Sequence, residues 1–225
     1  MTSRFRWNRA VLLLSLGVIS APAQQAPDVL ARLDRFAATF RSAQATVRAI
    51  THTAVIDEDE TQTGVLTIKK EPGNLRYRIA FSGDNAFTVV VDDHEAQVYH
   101  PKIDEIQRYD IRKYRDLAQK MLLLGFGTAG RELAANYDIR ELPRETLDSQ
   151  AVTHLELTPK SPAVLQQLKK IELWISVRSQ CPVQQKFYFP GGDYRLVTFS
   201  GVQVNLVVQS SLFELPKHAR RVKMN

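Results

Sequence analysis

The chain has 225 residues, 44% of them hydrophobic and 24% charged, which is enough apolar material for one sizeable core and rules out a disordered or low-complexity chain. Its formal charge is +6, of which residues 1–23 hold +3; the remaining +3, spread along the chain, is only weak evidence for nucleic-acid binding, and no such partner is expected. A single cysteine, Cys181, excludes an internal disulfide, so packing alone must hold the fold.

Residues 1–23 read as a secretory signal peptide. Arg4, Arg6 and Arg9 precede an apolar run over 11–19, and Ala21 and Ala23 occupy the −3 and −1 positions of a cleavage site. The run falls short of the roughly 20 residues that span a bilayer. No cysteine follows the cut, so the mature chain, residues 24–225, is expected to be one exported domain that is not itself lipidated. Removing the three arginines lowers the formal charge from +6 to +3.

Residues 28–41 have helical spacing, with Leu30, Leu33, Ala37 and Phe40 on one face and Val29 and Phe36 beside them. From residue 46 the period changes to two. Strands are predicted over 47–56, 64–69, 75–81, 87–91, 96–100 and 105–111. Asp57, Glu58, Asp59 and Glu60 read as a polar turn, and Glu71-Pro72-Gly73-Asn74 as a tight one. Residues 113–135 return to helix, with Leu117, Met121, Leu122 and Leu124 apolar and a break at Gly125-Phe126-Gly127. Strands follow over 137–142, 151–157, 170–177, 183–189, 194–199 and 201–208, with a short helix over 161–168. The basic cluster of Lys217, His218, Arg220, Arg221 and Lys223 reads as a solvated tail; docking on an acidic partner or an anionic membrane is the alternative. The fold class is α+β, mainly β: an incomplete antiparallel β-barrel of about 11 strands with a helical lid over its concave apolar face.

Signals for chemistry are sparse. His52, His94, His100, His154 and His218 form no metal-ligand spacing, and no nucleophile-elbow motif occurs, so neither a metal nor another cofactor is expected. Cys181 reads as a buried, inert thiol. The apolar segments have two readings: an ordinary core, or a cavity for acyl chains between sheet and lid.

Four segments in order resemble the LolA family, the periplasmic carriers of outer-membrane lipoproteins. They are Gly64-Val-Leu-Thr-Ile-Lys-Lys-Glu-Pro-Gly-Asn-Leu-Arg-Tyr-Arg78, Val90-Val-Asp-Asp-His-Glu-Ala-Gln-Val-Tyr-His-Pro101, Leu157-Thr-Pro-Lys160, and Asn205 with Phe213-Glu-Leu-Pro216. The resemblance implies a periplasmic monomer without catalysis. Its partners would be acylated lipoproteins, an inner-membrane release complex and an outer-membrane acceptor. The cavity it implies is expected to be lined by Tyr77, Ile79, Phe81, Val89, Val91 and Tyr99 on the sheet. Leu33, Phe36, Phe40, Met121, Leu122 and Leu124 are expected on the lid. The family's well-known carriers place a lid-latching arginine before the turn proline. Glu71 stands there in this chain, which makes Lys70 the latch candidate, and Asp93 replaces the usual turn glycine. A lipid- or stress-sensing regulator on the same scaffold is the second reading. An exported hydrolase, which needs an inward-facing Ser-His pair, is the third.

Overall fold

The computed structural model describes residues 27–92, 94–112 and 124–224. Among them run thirteen strands in one open sheet: β1 (Ser42–Thr53), β2 (Glu58–Glu71), β3 (Asn74–Phe81), β4 (Phe87–Asp92), β5 (Glu95–His100), β6 (Glu105–Asp110), β7 (Tyr137–Glu141), β8 (Glu145–Leu147), β9 (Gln150–Pro159), β10 (Lys170–Ser176), β11 (Pro182–Tyr188), β12 (Tyr194–Val204) and β13 (Arg220–Lys223). The order across the sheet is β13-β6-β5-β4-β3-β2-β1-β12-β11-β10-β9-β7, with β8 also on β9. Every pairing is antiparallel except β13 on β6. The expected incomplete barrel is therefore an open sheet, two strands richer than anticipated.

Helix α1 (Pro27–Thr39) places Val29, Leu33 and Ala37 four residues apart, and all three are buried with Phe40 against one side of the sheet. The helix ends where Arg41 Nη1 donates to the carbonyls of Ala38 and Phe40. Helix α2 (Gly130–Asn136) packs on α1, and Leu133 and Tyr137 carry its chain into the same core. The helix expected over 113–135 is confirmed only in this last part. Residues 124–129 form turns, and 113–123 lie outside the described residues. A short helix, α3 (Pro162–Leu165), falls where expected.

The two sides of the sheet are covered differently. The side that faces α1, the one expected to be concave, carries the main cluster, from Ala43, Ala45, Val47 and Ala49 of β1 to Leu155, Leu157, Ile171 and Leu173 of β9 and β10. The convex side carries Val90 and Ile106, sealed by Val208, Phe213, Leu215 and Ala219 of the segment that follows β12. That segment corrects two expectations. Residues 201–208 are not a separate strand. Gly201, with φ +60°, lets β12 run through a register irregularity against β1, and the chain leaves the sheet at Asn205. The basic tail is not free either. Residues 220–223 form β13, and Arg220 pairs with the buried Glu105. The polar turn is also shifted, because Glu58 already opens β2.

Candidate functional site

The candidate site is the concave face of β1–β5 under α1. Its rows follow from register, since partners across an antiparallel pair share a face. Ile68 lies opposite Tyr77 and Tyr77 opposite Val91. Leu66, Ile79, Val89 and Val98 form the next row, and Gly64, Phe81 and Phe87 the one after. The rings of Phe81 and Phe87 stand 4.8 Å apart.

Most of the expected lining residues meet here. Leu33, Phe40, Tyr77, Val91 and Leu124 belong to one buried cluster, with Phe36, Ile79 and Val89 half-buried against it. Phe81 is buried beside Phe87. Met121 and Leu122 lie outside the described residues. Leu124 is buried in a turn rather than on a helix.

Tyr99 is a correction. It pairs with Thr88 and so shares the convex face with Val90, where it packs on the C-terminal segment and its hydroxyl donates to Asp104 at 3.1 Å. Val98 and Ala96 hold the concave positions of β5 instead. The sequence hides this, because all six residues of β5 are half-buried and no alternation marks either face.

At the other end of the helix, Lys70 stands on the concave face beside Ile68, opposite Leu75. Its Nζ lies 3.4 Å from the Ala37 carbonyl in the last turn of α1. Glu71 points the other way and pairs with Lys69 at 2.8 Å, and that hydrogen bond holds its carboxyl below the usual range. Asn205 completes the clamp: its Oδ1 accepts from Arg41 N at 2.8 Å and its Nδ2 donates to the Thr39 carbonyl at 3.2 Å. Asn205 is legible in the sequence only as a motif position; its left-handed φ of 57° is what aims it.

Polar chemistry concentrates on the opposite face. His154 stacks on Trp174 with ring centroids 4.2 Å apart, and its Nδ1 lies 2.8 Å from Glu145. Lys170 bridges Glu156 and Glu172, each at 2.8 Å. His52 likewise bonds Asp59 at 2.8 Å. Both histidines are thus committed to carboxylates away from the concave face. Cys181 is fully buried, and burial pushes its thiol up to about 11. A cleft of about 620 Å³ opens where β11 stops pairing with β12, and it reaches Phe199 and Val202 of the concave side.

No protein-family model matches the chain, and no curated protein matches it. Solved structures do. An uncharacterized conserved protein from Thermus thermophilus superposes with TM-score 0.58 at 15% identity, over 89% of this chain and 100% of that one. MucB superposes with TM-score 0.55 at 16% identity, over 87% of this chain. The fold is one shared with MucB. The chain spans 64% of the MucB length, and at this identity the likeness is one of fold. MucB is also solved in complex with MucA from Pseudomonas aeruginosa. A LolA superfamily protein from Nitrosomonas europaea is among the matches too, at 15% identity over 86% of this chain and 99% of that one, with TM-score 0.40.

Proposed function

We propose that this chain is an exported LolA-like carrier. Its mature domain, residues 24–225, works in the periplasm after cleavage near Ala23. It holds the acyl chains of lipoproteins against the concave face and moves them from an inner-membrane release complex to an outer-membrane acceptor, as a monomer and without catalysis. The observation that carries the reading is the run of three apolar cross-strand pairs on one face, Tyr77 with Val91, Ile79 with Val89 and Phe81 with Phe87, with Leu33 of α1 and Phe40 just beyond its end packed in the same cluster as Tyr77 and Val91. Shielding acyl chains from water is worth about 0.8 kcal/mol per CH₂. A helix that lies on the empty face offsets part of that gain, which keeps loading reversible and the unloaded protein soluble.

The test is to purify the mature protein from the cell envelope and identify what accompanies it by mass spectrometry. Acylated lipoproteins are expected, and recovery of unacylated proteins alone rejects the carrier role. The existence of MucB–MucA complexes on this fold favours one other reading, in which the domain engages a regulatory protein. Such a partner would be recovered in the same experiment with no acyl chain required for its retention.

A further inference from the structure

We propose that Arg195 is an anion anchor on the concave face, taking the carboxylate or phosphate end of an amphiphile whose chains lie along the apolar rows. The inference rests on the reading of the concave face as an acyl-chain site and extends it to chains that carry an anionic end group.

Register places Arg195 in one cross-sheet row with Leu157, Ile171, Phe187 and Thr51. The first three are core residues, two of them fully buried. Val197, two residues along β12, faces the same way and is also core. A permanently charged guanidinium thus stands in a row of apolar side chains, half-buried, next to the turn that joins β11 to β12.

Its partners among the described residues do not satisfy that charge. Arg195 Nη1 donates to Thr51 Oγ1 at 3.4 Å, at the outer limit of a hydrogen bond. The acid that influences it is Glu60, one strand further across the sheet on an exposed stretch of β2, and Glu60 accepts from Gln62 Nε2 at 2.9 Å. Burial accordingly pulls the guanidinium below its ordinary range, with only the Glu60 charge opposing. Desolvating a cation without a close counter-ion costs stability, and an incoming anion recovers that cost. Arginine suits the task because its planar fork matches both carboxylate and phosphate oxygens. Arg78 is also drawn down by burial, but it sits opposite Thr67 and Val90 on the convex side, away from the apolar rows.

The test compares cis-parinaric acid, a fluorescent C18 carboxylate, with its methyl ester on delipidated protein at neutral pH. The acid is expected to bind about tenfold more tightly than the ester, the scale of one charge-assisted hydrogen-bonded pair. Arg195→Gln is expected to erase that preference while leaving ester binding unchanged, which also shows that the variant folds. Arg195→Lys should keep part of the preference. Equal binding of acid and ester by the native protein overturns the anchor, and so does a preference that survives Arg195→Gln. If neither probe binds, the carrier reading fails and the anchor falls with it. Excess inorganic phosphate is expected not to displace the acid; displacement of the acid but not the ester would overturn the headgroup assignment in favour of a free-oxyanion site.

Discussion

Lys70 and Ala37 are joined across the interface between sheet and helix, with the ammonium 3.4 Å from the carbonyl oxygen of the last turn of α1. A cation there faces the partial negative charge at the helix C-terminus. Lys70→Met is expected to lower stability by less than about 1 kcal/mol and to speed amide exchange throughout α1, while Lys70→Arg restores protection. Exchange in α1 that is unchanged by Lys70→Met would show that the contact holds nothing.

Gly130 meets α1 more closely than any side chain allows. A Cβ at this position would stand 2.1 Å from the Leu30 carbonyl oxygen, so Gly130→Ala must push α1 and α2 apart. The expected loss is about 1–3 kcal/mol by urea denaturation, with the loss in α1 seen first by hydrogen exchange. Leu33→Ala, at a fully buried position, should cost about 2–5 kcal/mol. Val207→Ala, 95% exposed, should stay within about 0.5 kcal/mol.

The C-terminal strand gives a separate test. Glu105 is buried, and Arg220 is its ion-pair partner. Arg220→Ala leaves that carboxylate without its counter-charge and is expected to destabilise by about 1–3 kcal/mol. A solvated tail would show no change in the same melt.

Acid sensitivity should arise first at His154. Burial lowers its pKa below the ordinary 6.5, outweighing the opposing charges of Glu145, Glu172 and Glu156. The unfolded chain therefore binds the proton before the folded one does. Stability is fully present above about pH 6.5 and is lost as pH falls through the lowered folded value. Glu156 and Glu95, held below their usual value of 4.5, lose their contributions only at more acidic pH. Urea denaturation at about pH 7.5 and 5.5 should show a drop in the native protein that His154→Phe, which keeps a ring on Trp174, flattens.

Much of this fold is legible in the sequence because period-two patterns and turn residues are local. The strands of residues 75–81 and 87–91 and the apolar stripe of α1 follow from spacing alone. What escapes depends on partners distant in the chain. Tyr99 falls on the face opposite to the expected one because β5 is half-buried on both sides. The run from Arg220 to Lys223 becomes a strand only because β6 offers it an edge and Glu105 a counter-charge. Arg195 does carry a signal: it has the parity of Val197 and Phe199, the two odd positions that follow it in β12. The face on which Lys70 stands is recoverable from alternation along β2, whereas its partner, the Ala37 carbonyl, is not.

The most direct test of the central claim is site-specific photocrosslinking in living cells, with a photoreactive phenylalanine analogue at Ile79 or at Tyr99. The two positions stand on opposite faces of neighbouring parts of one sheet. If the concave face holds acyl chains, Ile79 forms adducts with acylated lipoprotein and Tyr99 does not. Adducts from Tyr99 alone, or equally from both positions, would contradict it.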